Sequence, residues 1–303
     1  ADLVPGSGHL VHMPAHIYWR VGRYDDAAKA NITAASVDEA YIAQCNGPSF
    51  YPRMFYPHNI SFLWAAASMS GQRDMAIDAA QKVADNVRLE QIEQFPTVEF
   101  FKTIPILAQV QFGQWDDILA SDAPPESLDY SNAIWRYARG VAAARSGDVT
   151  SASGDRAVLA GLKDSVQISF LDTADYPASV LLGIADALLQ GEIAMAEGNP
   201  EQAIPHFAAA VTAQDSLPYM EPPFWYYPTR QSLGEAYVAA GKFAEAESVY
   251  RKDLEEYPRN GWSMSGLVKA LESQGKTEAA EEVEKTFAIV WRHSDIELDG
   301  SRL

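Results

Sequence analysis

Four histidines near the start of the chain are the residues most suited to chemistry. His9, His12 and His16 are three and four residues apart, a spacing that places side chains on one face of a helix. Imidazole nitrogens bind zinc, copper and iron, and a catalytic zinc ion keeps one coordination position for water. With His58 as a fourth ligand, these side chains predict a site for a divalent metal (Zn, Cu or Fe).

Two other interpretations of the histidines stay open. The imidazoles could bind a ligand without metal, or they could be structural side chains that bond carbonyls and tyrosine hydroxyls. Pro14 bears on the choice, because proline disrupts a helix interior but favours the first helical position. If the helix begins at Pro14, His9 and His12 lie in a preceding turn and the argument for a shared face weakens. His206 and His293 are expected to be structural.

A recurring glycine turn indicates the elements that must position these histidines. In 22–27 and 241–246, an aromatic residue lies two positions after the glycine and an alanine five positions after it. Weaker copies begin at Gly71, Gly113, Gly147, Gly198 and Gly275. Such a turn joins the two helices of a tetratricopeptide repeat, whose period is about 34 residues. The sequence therefore predicts an all-α fold, a right-handed α-α solenoid of about seven helix pairs, with residues 1–303 as a single domain.

Most glycine spacings exceed the ideal repeat, so the excess residues must lie between units. The stretches 46–57, 121–129, 161–177 and 217–228 are the expected interruptions, and all four carry proline, which breaks helices. The aromatic segment 50–57 immediately precedes His58. We expect this segment either to cover the histidines as a lid or to cap the hydrophobic seam between repeats.

The repeat register also predicts which side chains face the concave groove of the solenoid. It places His9, His12 and His16 there on one first helix, and His58 on the next. The candidate ligand-groove residues are Tyr18, Tyr51, Tyr56, Tyr137, Arg145, Glu192, Trp225, Tyr226, Arg230 and Glu235. Glu221, the one carboxylate of its aromatic, proline-rich segment, is a candidate partner of Arg230 or a catalytic acid/base.

Composition excludes several classes of function. A net charge of −18 argues against nucleic acid, which needs a basic surface, and against anionic membranes. The single cysteine, Cys45, excludes an intrachain disulfide and a cysteine-based zinc site. No apolar run approaches the about 18 residues of a membrane span. We expect a soluble protein of the bacterial cytoplasm or periplasm, the compartment being open.

Several sequence blocks resemble a family of bacterial tetratricopeptide-repeat proteins across essentially the whole chain. The blocks are 8–18 (GHLVHMPAHIY) with Arg20 and Gly22, 56–59 (YPHN), 221–228 (EPPFWYYP) with Arg230, and 260–262 (NGW). The resemblance implies the fold and the motif positions but no reaction. Members look longer at the N-terminus, so we expect this chain to be the C-terminal part of a longer protein, whose missing repeats complete the site.

Two functions of different classes follow from these observations. In the first, the chain is a binding protein whose groove takes a peptide, a protein or a small molecule, with a histidine-rich metal or ligand site on the concave face. In the second, it is a metal-dependent enzyme, a hydrolase or oxidoreductase. The histidines would then hold the metal, and Glu221 or a tyrosine would transfer protons.

Overall fold

The structure, a computed structural model, describes residues 4–44 and 50–303, without the side chains of 50–54. Every regular element in these ranges is helical. In chain order they are α1 (Gly8–His12), α2 (Pro14–Arg20), α3 (Tyr24–Gln44), α4 (Phe50–Met69), α5 (Arg73–Asp85), α6 (Leu89–Gln94), a 3₁₀ turn (Pro96–Glu99), α7 (Phe100–Gln111), α8 (Trp115–Ala120), α9 (Asp129–Arg145), α10 (Val149–Leu162), α11 (Val166–Thr173), α12 (Ala178–Ala196), α13 (Pro200–Asp215), α14 (Arg230–Ala239), α15 (Phe243–Glu256), α16 (Gly261–Ser273) and α17 (Thr277–Val290).

The seven predicted turn glycines join neighbouring helices into pairs. All seven have positive φ, between 67° and 84°, a conformation that only glycine adopts without strain. At Gly22 the turn is closed by two hydrogen bonds, from Gly22 N to Trp19 O (3.1 Å) and from Arg23 N to Tyr18 O (2.8 Å). This pattern is the usual way to satisfy the last carbonyls of a helix. The predicted all-α solenoid of paired helices is confirmed.

Small residues allow neighbouring pairs to pack closely. The buried ring of Tyr250 on α15 lies against Gly234 on α14 and Gly266 on α16. A Cβ atom at Gly234 would come within 2.4 Å of that ring, and one at Gly266 within 2.3 Å. The packing of α14, α15 and α16 is therefore fixed by one large side chain filling two glycine gaps.

Two of the expected interruptions are wrong in part. Helix α4 begins at Phe50 and holds Pro57 in its interior, so segment 50–57 is helical rather than a loop. Proline removes one helical hydrogen bond, but Tyr56 and Ile60 bury their side chains in the core beside it. Within 161–177, α10 ends at Leu162 and α11 is helical. The stretches 121–128 and 217–228 lack helix, as predicted.

Helix α12 is the one described helix long and apolar enough to cross a membrane. However, 61% of its most apolar window is buried inside the protein. It packs extensively against α13 and α9. This is the environment of a core helix in a soluble protein, so the helix itself gives little reason to expect a membrane span.

The last helix pair contacts the second pair, so the solenoid closes on itself. On α16, Trp262 Nε1 donates to Ser68 O at 2.9 Å. After α17, Ser294 Oγ donates to Gly71 O at 3.0 Å. Asp295 accepts hydrogen bonds from the backbone at the start of α5. The described helix pairs thus form a ring rather than an open spiral.

Two segments of the chain itself fill the inner face of this ring. From the segment 217–229, Tyr226 and Tyr227 are buried, and the Tyr226 hydroxyl lies 2.9 Å from that of Tyr137. From the C-terminal residues, the Arg302 guanidinium lies 3.9 Å from the centre of the Tyr227 ring. Ser301 Oγ donates to Gln231 O at 2.8 Å. The inner surface of the ring is therefore covered by these two segments of the chain.

Candidate histidine metal centre

Helices α1 and α2 carry three of the four histidines along one nearly continuous path. Helix α1 stops at His12 and α2 begins with Pro14 in its first position. Met13 between them keeps helical dihedrals (φ −50°, ψ −35°). The second helix therefore continues in the direction of the first, and His16 remains one turn beyond His12. Pro14 interrupts the hydrogen bonding without removing the shared face.

The Nε2 atoms of three histidines converge at the contact between these helices and α4. His12 Nε2 lies 2.9 Å from His16 Nε2 and 3.1 Å from His58 Nε2. The three ligand atoms all lie within 4.8 Å of one another. Two nitrogens bound to the same tetrahedral zinc ion are about 3.3 Å apart at ordinary bond lengths. The two separations from His12 Nε2 are close to this value.

The ring orientation of His12 is set by a buried asparagine. His12 Nδ1 lies 2.6 Å from Asn31 Oδ1, while Asn31 Nδ2 donates to Ala27 O at 2.8 Å. Because the Asn31 amide nitrogen donates to that carbonyl, the amide oxygen faces His12 and accepts a hydrogen bond from the Nδ1 N–H group. The lone pair of His12 is then on Nε2 and points at the other two histidines. This is the tautomer that binds metal through Nε2.

A carboxylate orients His16 in the same way. Glu221 Oε2 accepts from His16 Nδ1 at 2.6 Å, and its other oxygen accepts from the Tyr219 hydroxyl at 2.5 Å. The Arg20 guanidinium lies 3.9 Å away. A carboxylate behind a ligating histidine fixes the ring and increases its basicity. The acid/base role predicted for Glu221 stays a prediction.

The expected partnership between Glu221 and Arg230 is wrong. Arg230 instead binds Asp215, at 2.6 Å, and Glu256, at 3.3 Å, at the edge between α13 and α15. Asp215 is the last residue of α13 and Arg230 the first residue of α14, so segment 217–229 leaves and re-enters the helical layer beside this pair. Arg230 therefore supports the base of the segment that carries Glu221.

His9 lies beside the converging histidines without joining them. Its ring centre is 5.5 Å from that of His12, 6.0 Å from that of His58 and 4.5 Å from that of Phe55. Of the four ligands predicted from sequence, the described structure groups three. His9 forms the next layer, between the group and an aromatic wall.

Burial keeps the central imidazoles neutral. It lowers the pKa of His12 to about 3, and neighbouring histidines add to the effect although the bond to Asn31 opposes it. Burial also lowers the pKa of His58 to about 4, helped by the charges that His16 and His9 would carry. Metals bind neutral imidazole, so no proton has to be displaced from these two side chains near pH 7.

An apolar cavity of about 530 Å³ opens beside the histidines. His9, His58 and Glu221 are the part of its wall that belongs to the centre. Most of the remaining wall is aromatic and aliphatic, including Phe55, Trp64, Phe100, Phe101, Tyr176 and Phe224. A cavity of this size and character is typical of small-molecule sites.

The other predicted ligand-groove residues lie elsewhere in the ring. Tyr137, Tyr226 and Trp225 are buried together on the inner face. Arg145 pairs with Glu192 at 2.7 Å and with Glu235 at 3.1 Å. These side chains bind one another, and their role in a ligand groove stays a prediction.

Two of the three tyrosines predicted near the histidines have partners outside the centre. The Tyr18 ring lies under the Arg23 guanidinium, 4.6 Å away. Tyr56 is buried and donates to Glu39 Oε1 at 3.0 Å. The side chain of Tyr51 falls outside the described residues. The involvement of these three in ligand binding stays a prediction.

Sequence reasoning missed the asparagine that orients His12. Asn31 and Asp38 are fully buried on the stripe of α3 that otherwise carries Ala27, Ala34 and Ala35. Polar side chains at positions i+4 and i+11 of an alanine stripe were the available signal, because buried polar groups need partners. Asp38 in turn accepts from Asn59 Nδ2 at 2.7 Å, one residue after His58.

Comparison with known families places the C-terminal part of the chain. The tetratricopeptide repeat model matches residues 232–288, which include most of α14, all of α15 and α16, and most of α17. A search of curated proteins gave no match. The matched residues belong to the last two helix pairs, far along the chain from the histidines.

Proposed function

Since this chain is a tetratricopeptide-repeat protein, we propose that its first two helix pairs have added a divalent-metal site to that scaffold. The ion is bound by the Nε2 atoms of His12, His16 and His58. The observation that carries the proposal is their convergence, at 2.9 and 3.1 Å from His12 Nε2. Two of the three rings are also oriented from behind, by Asn31 and Glu221.

The ligand set favours a first-row transition ion. Three neutral nitrogens suit zinc, copper and iron, and they do not suit magnesium or calcium, which prefer oxygen. Glu221 accepts a hydrogen bond from the proposed ligand His16 and provides a compensating negative charge. Tetratricopeptide repeats also suggest a protein-binding role. We place the ligand function at the histidines, because the inner face is filled by residues 217–229 and 300–303.

The proposal is tested by metal content and metal affinity. The purified chain, loaded separately with Zn²⁺, Cu²⁺ or Fe²⁺ and dialysed, should retain about one equivalent of the preferred ion by mass spectrometry. A His16→Gln, His58→Gln double variant should lose it. The control is His206→Gln, which removes a half-buried histidine on α13 and should leave metal binding unchanged.

The carboxylate behind His16 provides a graded test. Glu221→Gln should weaken metal binding by about 10- to 100-fold, as outer partners of ligating histidines generally do. Glu255→Gln, at an exposed carboxylate of α15, should have no effect. If the folded double-histidine variant keeps its metal, or the unaltered chain takes up none of the three ions, the proposed site does not exist.

A metal-dependent enzyme remains the second candidate. The specific observation in its favour is that the described histidine group offers three ligands, which leaves a coordination position of the kind catalytic zinc sites keep. The adjoining cavity gives a substrate room beside that position. Turnover of an ester, amide or phenol that stops on chelation and returns with metal would favour this candidate over simple binding.

A further inference from the structure

The cavity beside the histidines has walls whose own polar groups are largely engaged. Ser61 Oγ donates to His58 O at 2.8 Å, and Thr103 Oγ1 donates to Phe100 O at 2.7 Å. The Tyr176 hydroxyl donates to that of Tyr130 at 2.9 Å. These hydroxyls are committed to the protein, so the walls offer a ligand mainly apolar surface.

Aromatic rings give that surface a preferred kind of occupant. Phe100 and Tyr176 stack with ring centres 5.5 Å apart, and Phe224 meets Tyr176 edge-on at 5.9 Å. Offset and edge-to-face contacts of this type favour another aromatic ring over an aliphatic group of equal area. A volume of about 530 Å³ accommodates a ring with a short chain.

The charge at the histidine end depends on the metal. Without an ion, the ionisable wall residues are Glu221 and the exposed Asp175 beside neutral histidines, so an anion is repelled and a cation favoured. A bound divalent ion adds two positive charges beside Glu221 and offers a coordination position. An anionic oxygen donor is then the group that complements this end of the cavity.

Resting on the metal site proposed above, we infer that the cavity binds a small aromatic carboxylic acid. The ring occupies the space among Phe100, Tyr176 and Phe224, and the carboxylate reaches the ion held by the histidines. The ligand class is defined by both ends, since the aromatic walls select the ring and the metal selects the anion.

Calorimetry with two matched probes tests this inference. The probes are 4-phenylbutyrate and 4-phenylbutylamine, which share a ring and chain but carry opposite charges. The acid should bind the metal-loaded chain at least about tenfold more tightly than the chelator-treated chain, equivalent to one inner coordination contact. The amine should show the reverse preference.

Substitutions in the wall separate the cavity from the metal. Thr97→Trp and Leu107→Phe add bulk at two lining residues. Each should weaken the binding of the acid by about tenfold or more, because the space for the ring is filled. Metal content should stay at that of the unaltered chain. Thr212→Trp, at an exposed position of α13, should change neither quantity.

Metal analysis of every sample distinguishes the two possible failures. A chain that holds one ion but binds the acid equally well with and without it would overturn the inference and leave the metal site standing. Unchanged acid affinity in both wall variants would do the same. A chain that holds no ion would overturn the metal site and the inference together.

Discussion

At the scale of single residues, the centre depends on what lies behind each imidazole. Asn31 accepts a hydrogen bond from Nδ1 of His12, and Glu221 accepts one from Nδ1 of His16. Each partner leaves a lone pair on Nε2 pointing at the same place. Buried polar groups are stable only when paired. The group of histidines is therefore arranged for an occupant that accepts lone pairs, which a metal ion does.

The same burial gives the metal-free protein a defined response to acid. Unfolded histidines bind protons near pH 6.5, whereas the pKa is about 3 for His12 and about 4 for His58. The unfolded state therefore binds more protons between these values, and the free energy of unfolding falls as the pH drops below 6.5. At pH 5 the loss should be roughly 2 kcal/mol for each histidine.

Urea unfolding in the presence of chelator, at pH 7 and at pH 5, measures this loss. His58→Gln should reduce the difference in unfolding free energy between the two pH values, since one of the two histidines with a lowered pKa is removed. His293→Gln, at an exposed histidine, should keep the full difference. Equal differences in all three proteins would contradict the assignment of the acid response to the centre.

The sequence predicted the grouping of the histidines better than the residues that orient them. Spacing along a helix identified His12 and His16, and the repeat register added His58 on the neighbouring helix. It could not predict that Glu221 would meet His16, because that contact depends on the path of an irregular segment 205 residues away. His9 was included because spacing specifies a face of a helix but not which rings on that face converge.

At the scale of helices, the glycine turns were predictable and the helix starts were not. Positive φ at Gly71 or Gly241 follows from the local turn chemistry alone. The helical course of α4 through Pro57 follows from packing, since the neighbouring side chains of Tyr56 and Ile60 are buried. Local propensity is a weak guide where tertiary burial opposes it. The errors of prediction therefore lie in the segments between repeats.

Helix α5 is capped from a distant part of the chain. Asp295 accepts from Arg73 N at 2.6 Å and from Asp74 N at 2.9 Å. Asp295→Ala should lower the free energy of unfolding by about 1 kcal/mol, the usual contribution of an N-terminal cap. Asp299→Ala, whose side chain is 97% exposed, is the matched control in urea unfolding. Equal midpoints would show that the cap contributes nothing to stability.

At the scale of the whole molecule, closure sets this protein apart from an open solenoid. Contacts from α16 and from the residues after α17 reach α4 and α5. In an open array each repeat depends only on its neighbours, so stability is a sum of local terms. Here the first two helix pairs also meet residues 258–295, which contain the last pair, and we call this contact the seam. We therefore expect damage at the seam to destabilise the helix pairs on both sides of it.

Two glycines with the same backbone conformation test the seam. Gly22 and Gly241 have φ of 70° and 71°, so alanine costs each about 1–2 kcal/mol in backbone strain. A Cβ at Gly22 would also lie 2.0 Å from Pro258 O across the seam, whereas Gly241 faces open space. Gly22→Ala should therefore cost about 1–3 kcal/mol more than Gly241→Ala in urea unfolding. Equal losses of unfolding free energy would mean that the seam shifts to accommodate the added Cβ without cost.

The distance along the chain between His16 and Glu221 has a consequence for biosynthesis. The ribosome makes the imidazoles of α1, α2 and α4 early, and the carboxylate that orients one of them emerges much later. A nascent chain can therefore bring three nitrogens together before their full support exists. In the proposed metal site, an ion captured at that stage would be held loosely at first. It would be secured when segment 217–229 enters the ring, so the order of translation would become the order in which the centre is completed.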